Sequence, residues 1–236
     1  MLHVHVVAAN NRKIYREELE SFFQWRHKVY VEQKGWLPPS ADGRERDQFD
    51  NDGAVYLLAM DDGALAAGTR LIPSDRPHLL SEVFPQLAAV KGVPRSPLIA
   101  EWTRMFVVPG RRGGLHTGAC GQMCCAVMEY LLEEGAAQVG GVQELYWLPR
   151  WHHYGWRVHP LGLPEEIGRD WCVAAYFDVT EEALAGVRAA AGVDRNLIVR
   201  RGSPQPFLPD RSLRSIGLRR GMVAEMHNRA VHGKAQ

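Results

Sequence analysis

Leu98-Ile99-Ala100-Glu101-Trp102-Thr103-Arg104-Met105-Phe106-Val107-Val108 carries the strongest strand signal in the chain. It is rich in β-branched and aromatic residues, and Pro109-Gly110-Arg111-Arg112-Gly113-Gly114 stops it abruptly. A helical pattern follows over residues 117–134 and is closed by Gly135. A strand that feeds a helix through a glycine turn is a building unit of α/β sheets. Alternation along this strand sends Glu101 and Thr103 to one face, Arg104 and Phe106 to the other. A central strand is covered on both faces, so Glu101 and Arg104 would be buried charges. Such charges are costly unless paired and are enriched at functional sites.

Working upstream, residues 3–9 read as a first strand. Residues 12–30 read as a helix, with Tyr15, Leu19, Phe22, Phe23 and Tyr30 at near-helical spacing and Arg26 on the same apolar face. Residues 35–52 are turn-rich and hold an acidic cluster, Glu45, Asp47, Asp50 and Asp52. Residues 55–60 and 65–72, joined by Asp61-Asp62-Gly63, predict a β-hairpin that carries Arg70 in its second strand. Residues 79–87 predict a short helix that Pro85 ends or bends. Downstream, residues 139–144 predict a strand weakened by two glycines, residues 148–154 a short aromatic helix, and residues 171–179 another strand. Thr180 is a suitable N-cap for a helix through Ala191. This order predicts a three-layer α/β/α sandwich on a mixed central sheet, one domain over residues 1–194 with a basic extension at 195–236.

Composition narrows the function classes. The chain has 236 residues, 28 Lys+Arg against 27 Asp+Glu, and 46% apolar residues, ordinary values for a folded domain. No apolar run approaches the ~18–20 residues that span a bilayer. The start, Met1-Leu2-His3-Val4-His5, lacks a signal-peptide pattern. Cys120, Cys124, Cys125 and Cys172 match no metal or redox spacing, which suits a reducing cytoplasm, and no metal is expected. From Arg195 onward nine basic residues stand against two acids, so the end of the chain carries net +7. That surplus suits a solvated face or an acidic partner; nucleic acid is not the expected one. There is no Walker sequence, no dinucleotide fingerprint, no zinc-protease motif and no nucleophile elbow. Arg26, Arg70 and Arg104 with Asp47, Asp50 and Glu101 predict a charge cluster at one end of the sheet, able to take a zwitterionic or cationic small ligand. The turn at residues 109–114 could cradle a pyrophosphate on backbone N–H groups, with Arg111 and Arg112 adding charge.

Arg26-x-x-Val29-Tyr30, Gly35-Trp36, Asp47-x-x-Asp50, Arg70-Leu71, Glu82-Val83-Phe84 and Glu101-x-Thr103-Arg104-x-Phe106 fall in one order along the chain. In that order and spacing they resemble the acyl-homoserine-lactone synthases, the autoinducer synthases of bacterial quorum sensing. The resemblance covers residues 20–110 by motif and reaches about residue 180 by element order. It implies a fold resembling the GNAT N-acyltransferases. It also implies acyl transfer from a thioester to the amine of S-adenosylmethionine (SAM), then lactone closure with loss of methylthioadenosine. Both small molecules are substrates, and no cofactor is expected. By position, Arg26, Tyr30, Trp36, Asp47, Asp50, Arg104 and Phe106 would form or support the SAM site. Arg70 and Thr103 would brace the ion network. Glu101 would lie near the reacting amine and take its proton.

Tyr30 stands where phenylalanine is usual in that family, and Thr103 where serine is common. Residues 144–151 are more aromatic than in members that take long straight chains. Phe84, Trp147 and Trp151, with Arg111 and Arg112, are therefore expected at the acyl-donor pocket. They point to short, branched or aryl acyl groups on coenzyme A, with acyl carrier protein as the other possible carrier. A GNAT-type N-acyltransferase for a different amine is the alternative reading; it would share the thioester site without needing Arg26, Trp36, Asp47 and Asp50. A ligand-binding module without catalysis would leave Glu101 and Arg104 unexplained.

Overall fold

In a computed structural model, residues 2–111, 113–114 and 118–208 are described, and they build a nine-stranded mixed sheet between helical layers. The strands are β1 (His3–Val7), β2 (Val55–Asp61), β3 (Ala64–Pro73), β4 (Ile99–Val107), β5 (Gln138–Glu144), β6 (Val158–Pro160), β7 (Glu165–Ile167), β8 (Asp170–Asp178) and β9 (Ile198–Val199). Their order is β6-β8-β5-β4-β3-β2-β1-β9, with β7 also paired to β8. The pairs β4–β5 and β1–β9 are parallel; the others are antiparallel. One face is covered by α3 (Ala119–Glu134) and α5 (Glu181–Ala191), which enclose Val4, Leu57, Ala100, Trp102 and Val139. The other face is covered by α1 (Arg16–Arg26), which sets Phe22 and Phe23 against Tyr56, Leu58 and Phe106. The short α2 (Leu79–Glu82) packs beside it, and α4 (Leu148–His153) follows β5. No helix among the described residues is long and apolar enough to cross a membrane.

The expected elements form for the expected reasons. Asp62 and Gly63 take positive φ in the β2–β3 turn, as a two-residue hairpin requires. The Thr180 hydroxyl accepts the Ala183 N–H at 3.1 Å and starts α5. The first helix departs from expectation at both ends. It begins at Arg16 and runs beyond Tyr30 as a π-helix over His27–Gln33. The π segment has seven residues, fewer than two turns, too few for its wider i→i+5 spacing to show in the sequence.

The predicted faces of the central strand change at a bulge. The β3–β4 register slips between Gly68 and Arg70, and Arg104 sits at φ +57°. The extra residue resets the alternation. Phe106 therefore joins Glu101 and Thr103 on the α1 side and stacks on Phe22 at 5.4 Å. Arg104 also turns to that side, where it meets Glu45 and Asp47.

The boundary expected at residue 194 is also corrected. Ile198 and Val199 form β9 against β1, and Leu197, Phe207 and Leu208 are buried in the core. Glu129 accepts the Leu197 N–H at 3.0 Å and Glu134 accepts the Phe207 N–H at 2.9 Å. The domain thus continues at least to residue 208. The rest of the basic extension, with Arg112 and the first residue of the expected third helix, lies outside the described residues.

Candidate active site

Strands β4 and β5 pair only at Ile99–Gln138, Ala100–Val139 and Glu101–Gly140. Past those pairs the strands part, and a cavity of about 810 Å³ opens between residues 102–105 of β4 and residues 141–144 of β5. Parallel strands that separate in this way leave backbone groups free to face a ligand. Of the predicted residues, Tyr30, Trp36, Asp47, Thr103 and Arg104 line one part of the cavity, and Phe84, Trp147 and Trp151 line the other.

The polar part is built on a charge network. Arg26 binds Glu45 through Nε at 2.5 Å and Asp50 through Nη1 at 2.7 Å. Arg70 forks onto Asp47 at 2.5 and 3.0 Å and reaches Asp50 at 2.9 Å. Arg104 binds Glu45 at 3.1 Å and Asp47 at 2.9 Å. Thr103 accepts from Arg70 Nε at 3.2 Å, and Tyr56 donates its hydroxyl to Asp50 at 3.0 Å. Three guanidiniums thus balance three carboxylates. The third acid is Glu45, not the Glu101 expected from the sequence. Arg26 and Arg70 are fully buried, and such charges are tolerated because both guanidiniums are paired with and hydrogen-bonded to carboxylates; Arg26 Nη2, 3.8 Å from Asp47, makes no hydrogen bond among the described residues. Burial alone would raise the Asp50 carboxyl, but the Arg26 and Arg70 guanidiniums overcome it and hold it well below the usual carboxylate range.

An aromatic column stands on this network. The Arg104 guanidinium lies over the Tyr30 ring at 5.4 Å, Tyr30 stacks on Trp36 at 5.7 Å, and Lys34 Nζ caps Trp36 at 4.1 Å. The Trp36 N–H bonds the Tyr30 carbonyl at 2.9 Å as the π-helix ends, which brings the two rings together. The Tyr30 hydroxyl donates to the Met105 carbonyl at 2.6 Å, and burial pushes its phenol up, so it stays protonated. Two contacts cross the cavity mouth: Lys34 to Glu144 at 2.5 Å and Trp36 Nε1 to Asp170 at 2.8 Å.

The other part is walled by aromatic rings. Trp147 stacks on Trp151 at 5.4 Å, and Trp151 on Trp156 at 5.1 Å, both nearly parallel. Trp102 leans against Trp151 at 5.8 Å from β4. Arg150 covers Trp147 at 4.2 Å.

Five predicted residues stand behind the wall instead of in it. Arg26, Asp50 and Arg70 support the lining residues from below. Phe106 is core, carried there by the bulge, and offers no face to a ligand. Glu101 has no solvent exposure; it accepts the backbone N–H groups of Leu79 at 2.9 Å and Leu80 at 2.7 Å, and pairs with His78 Nδ1 at 3.0 Å. Its neighbours Leu79 and Gly141 line the cavity while it does not. Arg111 turns back onto Asp61 at the end of β2, away from the cavity, and Arg112 is not described. Glu45 and His78 were missed as site residues. Glu45 was visible as part of the acidic cluster, whereas His78 left no signal in a turn before a four-residue helix.

The profile of the family described as autoinducer synthase matches residues 10–187. The isovaleryl-homoserine lactone synthase of Bradyrhizobium diazoefficiens is 43% identical over 182 residues, 77% of this chain and 82% of that protein. The solved structure of BjaI, a CoA-dependent acyl-homoserine lactone synthase with SAM and isopentyl-CoA, superposes with a TM-score of 0.83 at 37% identity, covering 92% of this chain and all of that one. A putative N-acetyltransferase from Lactobacillus plantarum shares the fold at a TM-score of 0.52 and 14% identity, over 75% of this chain and 98% of that one. With its motifs, its split sheet and these likenesses, the chain belongs to the autoinducer synthase family, the acyl-homoserine-lactone synthases.

Proposed function

We propose that the chain transfers a short branched or aryl acyl group from a coenzyme A thioester to the amine of SAM, and then closes the lactone. The observation that carries this is the cavity itself, which joins an ion-paired, aromatic-lined polar pocket to a tryptophan-walled apolar one across the β4–β5 gap. A zwitterionic amino acid fits the polar pocket: Arg104 offers a guanidinium to its carboxylate, and Asp47 a carboxylate to its ammonium. Tyr30 and Trp36 offer π faces to a sulfonium and to adenine. Trp147, Trp151 and Phe84 leave an apolar end suited to a short, bulky acyl group, and the isovaleryl specificity of the relative supports that size class.

In the reaction the amine attacks the thioester carbonyl; a C–N bond forms, the C–S bond breaks and the thiolate leaves. The nitrogen, bound as an ammonium, loses two protons in all: the one that frees its lone pair for attack passes through one water to Glu101, which sits behind Leu79 and Gly141, and on to solvent, and the one lost as the amide forms ends on the departing thiolate. The SAM carboxylate then attacks the carbon bonded to the sulfonium, and methylthioadenosine leaves as a neutral molecule. This second step needs positioning more than acid or base, since the nucleophile is ionised and the leaving group is good. The free cysteines suit a reducing cytoplasm.

Purified protein should release methylthioadenosine only when SAM and isovaleryl-CoA are both supplied, read by chromatography. Equal acyl transfer to an unrelated amine would instead make it a general N-acyltransferase.

A further inference from the structure

Strand β5 ends on two side chains that hold tryptophans of the cavity wall by their ring nitrogens. Gln143 Oε1 accepts the Trp151 Nε1–H, and Gln143 Nε2 donates to the Ala175 carbonyl at 3.4 Å. Glu144 accepts the Trp147 Nε1–H at 3.3 Å on Oε2, the oxygen that also takes the Tyr146 hydroxyl at 3.0 Å. The two anchors do not matter equally. Trp151 is 4% exposed and packed by Trp102, Trp156 and Phe177, so the core fixes its ring with or without Gln143. Trp147 is only partly buried and has less around it to fix it. Stacking on Trp151 sets the plane of its ring, and a directional bond at Nε1 sets where the edge of that ring points.

The other carboxylate oxygen of Glu144 serves the polar part of the cavity. Oε1 pairs with Lys34 Nζ at 2.5 Å, and the same ammonium lies 4.1 Å from the centre of the Trp36 ring. A carboxylate is planar, so a donor held on one oxygen limits the directions open to the other. Glu144 therefore stands between the aromatic column and the tryptophan wall, with one oxygen on each. Its side chain is 11% exposed and that of Lys34 30%, so the pair is better shielded than an ion pair on an open surface, where such contacts contribute little.

We propose that Glu144 is a positioning residue that sets the length of acyl group accepted: it holds the Trp147 ring across the apolar end of the cavity, and Lys34 tethers it from the SAM side. This rests on the reading of the tryptophan-walled part as the acyl pocket. Glu144 lines the cavity, yet its oxygens are engaged by Trp147, Tyr146 and Lys34, so it acts through the wall and not on the reacting atoms. With the anchor gone, the indole N–H has lost its acceptor and turns to find another, and the volume it leaves is open to a longer chain. Lys34 sits beside Trp36, on the other part of the cavity, so a substitution there reaches acyl selectivity through Glu144.

The readout is the ratio of kcat/KM for octanoyl-CoA to that for isovaleryl-CoA, in full-length protein at saturating SAM. Glu144→Ala should raise it by roughly two- to tenfold, the worth of one hydrogen bond. Lys34→Met, which keeps the stem and drops the charge, should raise it by a smaller factor. In a Trp147→Ala background neither substitution should move the ratio further, because the ring they hold is gone. An unchanged ratio in Glu144→Ala overturns the proposal, and so does an equal rise with and without Trp147. A Lys34→Met enzyme with an altered KM for SAM and a wild-type ratio overturns the tether. Should Glu144→Ala not fold, Glu144→Gln decides. Its amide oxygen can hold Trp147 but not the charge of Lys34, so the ratio should rise as in Lys34→Met, and a wild-type ratio overturns the proposal. The acyl-pocket reading fails separately, when Trp147→Ala by itself leaves the ratio unchanged.

Discussion

Arg70 contributes to the site without touching the cavity. Its guanidinium holds Asp47 and Asp50 together from inside the sheet, and it has no solvent contact. Arg70→Ala would leave two carboxylates short of a partner in a buried place, at a cost of about 3–5 kcal/mol. A urea melt should show that loss as a lower midpoint, and an unchanged midpoint would mean that water reaches the network. The same network sets the acid limit of the fold. Asp50 has a folded-state value far below the ~3.9 of an unfolded chain, so its stabilisation is complete above that value and is lost as the pH falls below it toward the folded one. Stability should therefore hold from neutrality to about pH 4 and fall steeply below it. Asp50→Asn should flatten that acid slope while lowering stability at pH 7. At this scale the sequence disclosed the cluster but not its membership. Periodicity cannot carry the left-handed φ of Arg104, and that one torsion brings Arg104 onto Glu45 and sends Phe106 to the core.

At the scale of elements, strand type and order followed from alternation, turn chemistry and caps wherever a strand was long. The strands that escaped are β6, β7 and β9, of three, three and two residues, too short to show a period. The gap between β4 and β5 left only an indirect trace, the two glycines of β5. Those glycines matter because the neighbouring chain comes too close for a side chain: a Cβ on Gly140 would lie 2.2 Å from the Ala175 carbonyl oxygen. The aromatic helix after β5 was legible, and its packing now gives it a role. Trp147 is the partly buried outer member of the stack with Trp151 and Trp156, and it faces the cavity. Trp151 is deeper and joins the core, so it is the less replaceable of the two. Trp147→Ala should enlarge the apolar end and raise kcat/KM for hexanoyl- and octanoyl-CoA relative to isovaleryl-CoA, with little change in KM for SAM. An unchanged ratio would place the acyl group elsewhere in the cavity.

For the whole molecule, the question is what closes the sheet edge opposite β6. Strand β1 would present a bare edge if the chain ended its fold at residue 194, and exposed edges invite mispairing. Instead residues 197–208 cross it: β9 pairs with β1, and the chain then returns over α3 to bury Phe207 and Leu208. Three groups on α3 receive it, Glu129 at the Leu197 N–H, Glu134 at the Phe207 N–H, and Tyr130, whose hydroxyl donates to the Gln205 carbonyl at 3.1 Å. The Phe207 ring meets Tyr130 edge-on at 6.4 Å. The charge asymmetry of the sequence made this stretch look like a separate basic extension. Arg200 shows why that inference failed, since its guanidinium is spent on Glu133 and Glu134, both at 3.0 Å. Phe207→Ala removes a buried ring from this closure and should cost about 3–5 kcal/mol, the range for deleting a core phenylalanine. For a domain of this size that corresponds to a fall in Tm of roughly 6–20 °C. No residue of the crossing lines the cavity, so the folded variant should keep its kcat and its KM for SAM below the transition. A small fall in Tm would mean that the fold is complete before residue 195. A loss of turnover at full foldedness would mean that the closure bears on the site through the sheet.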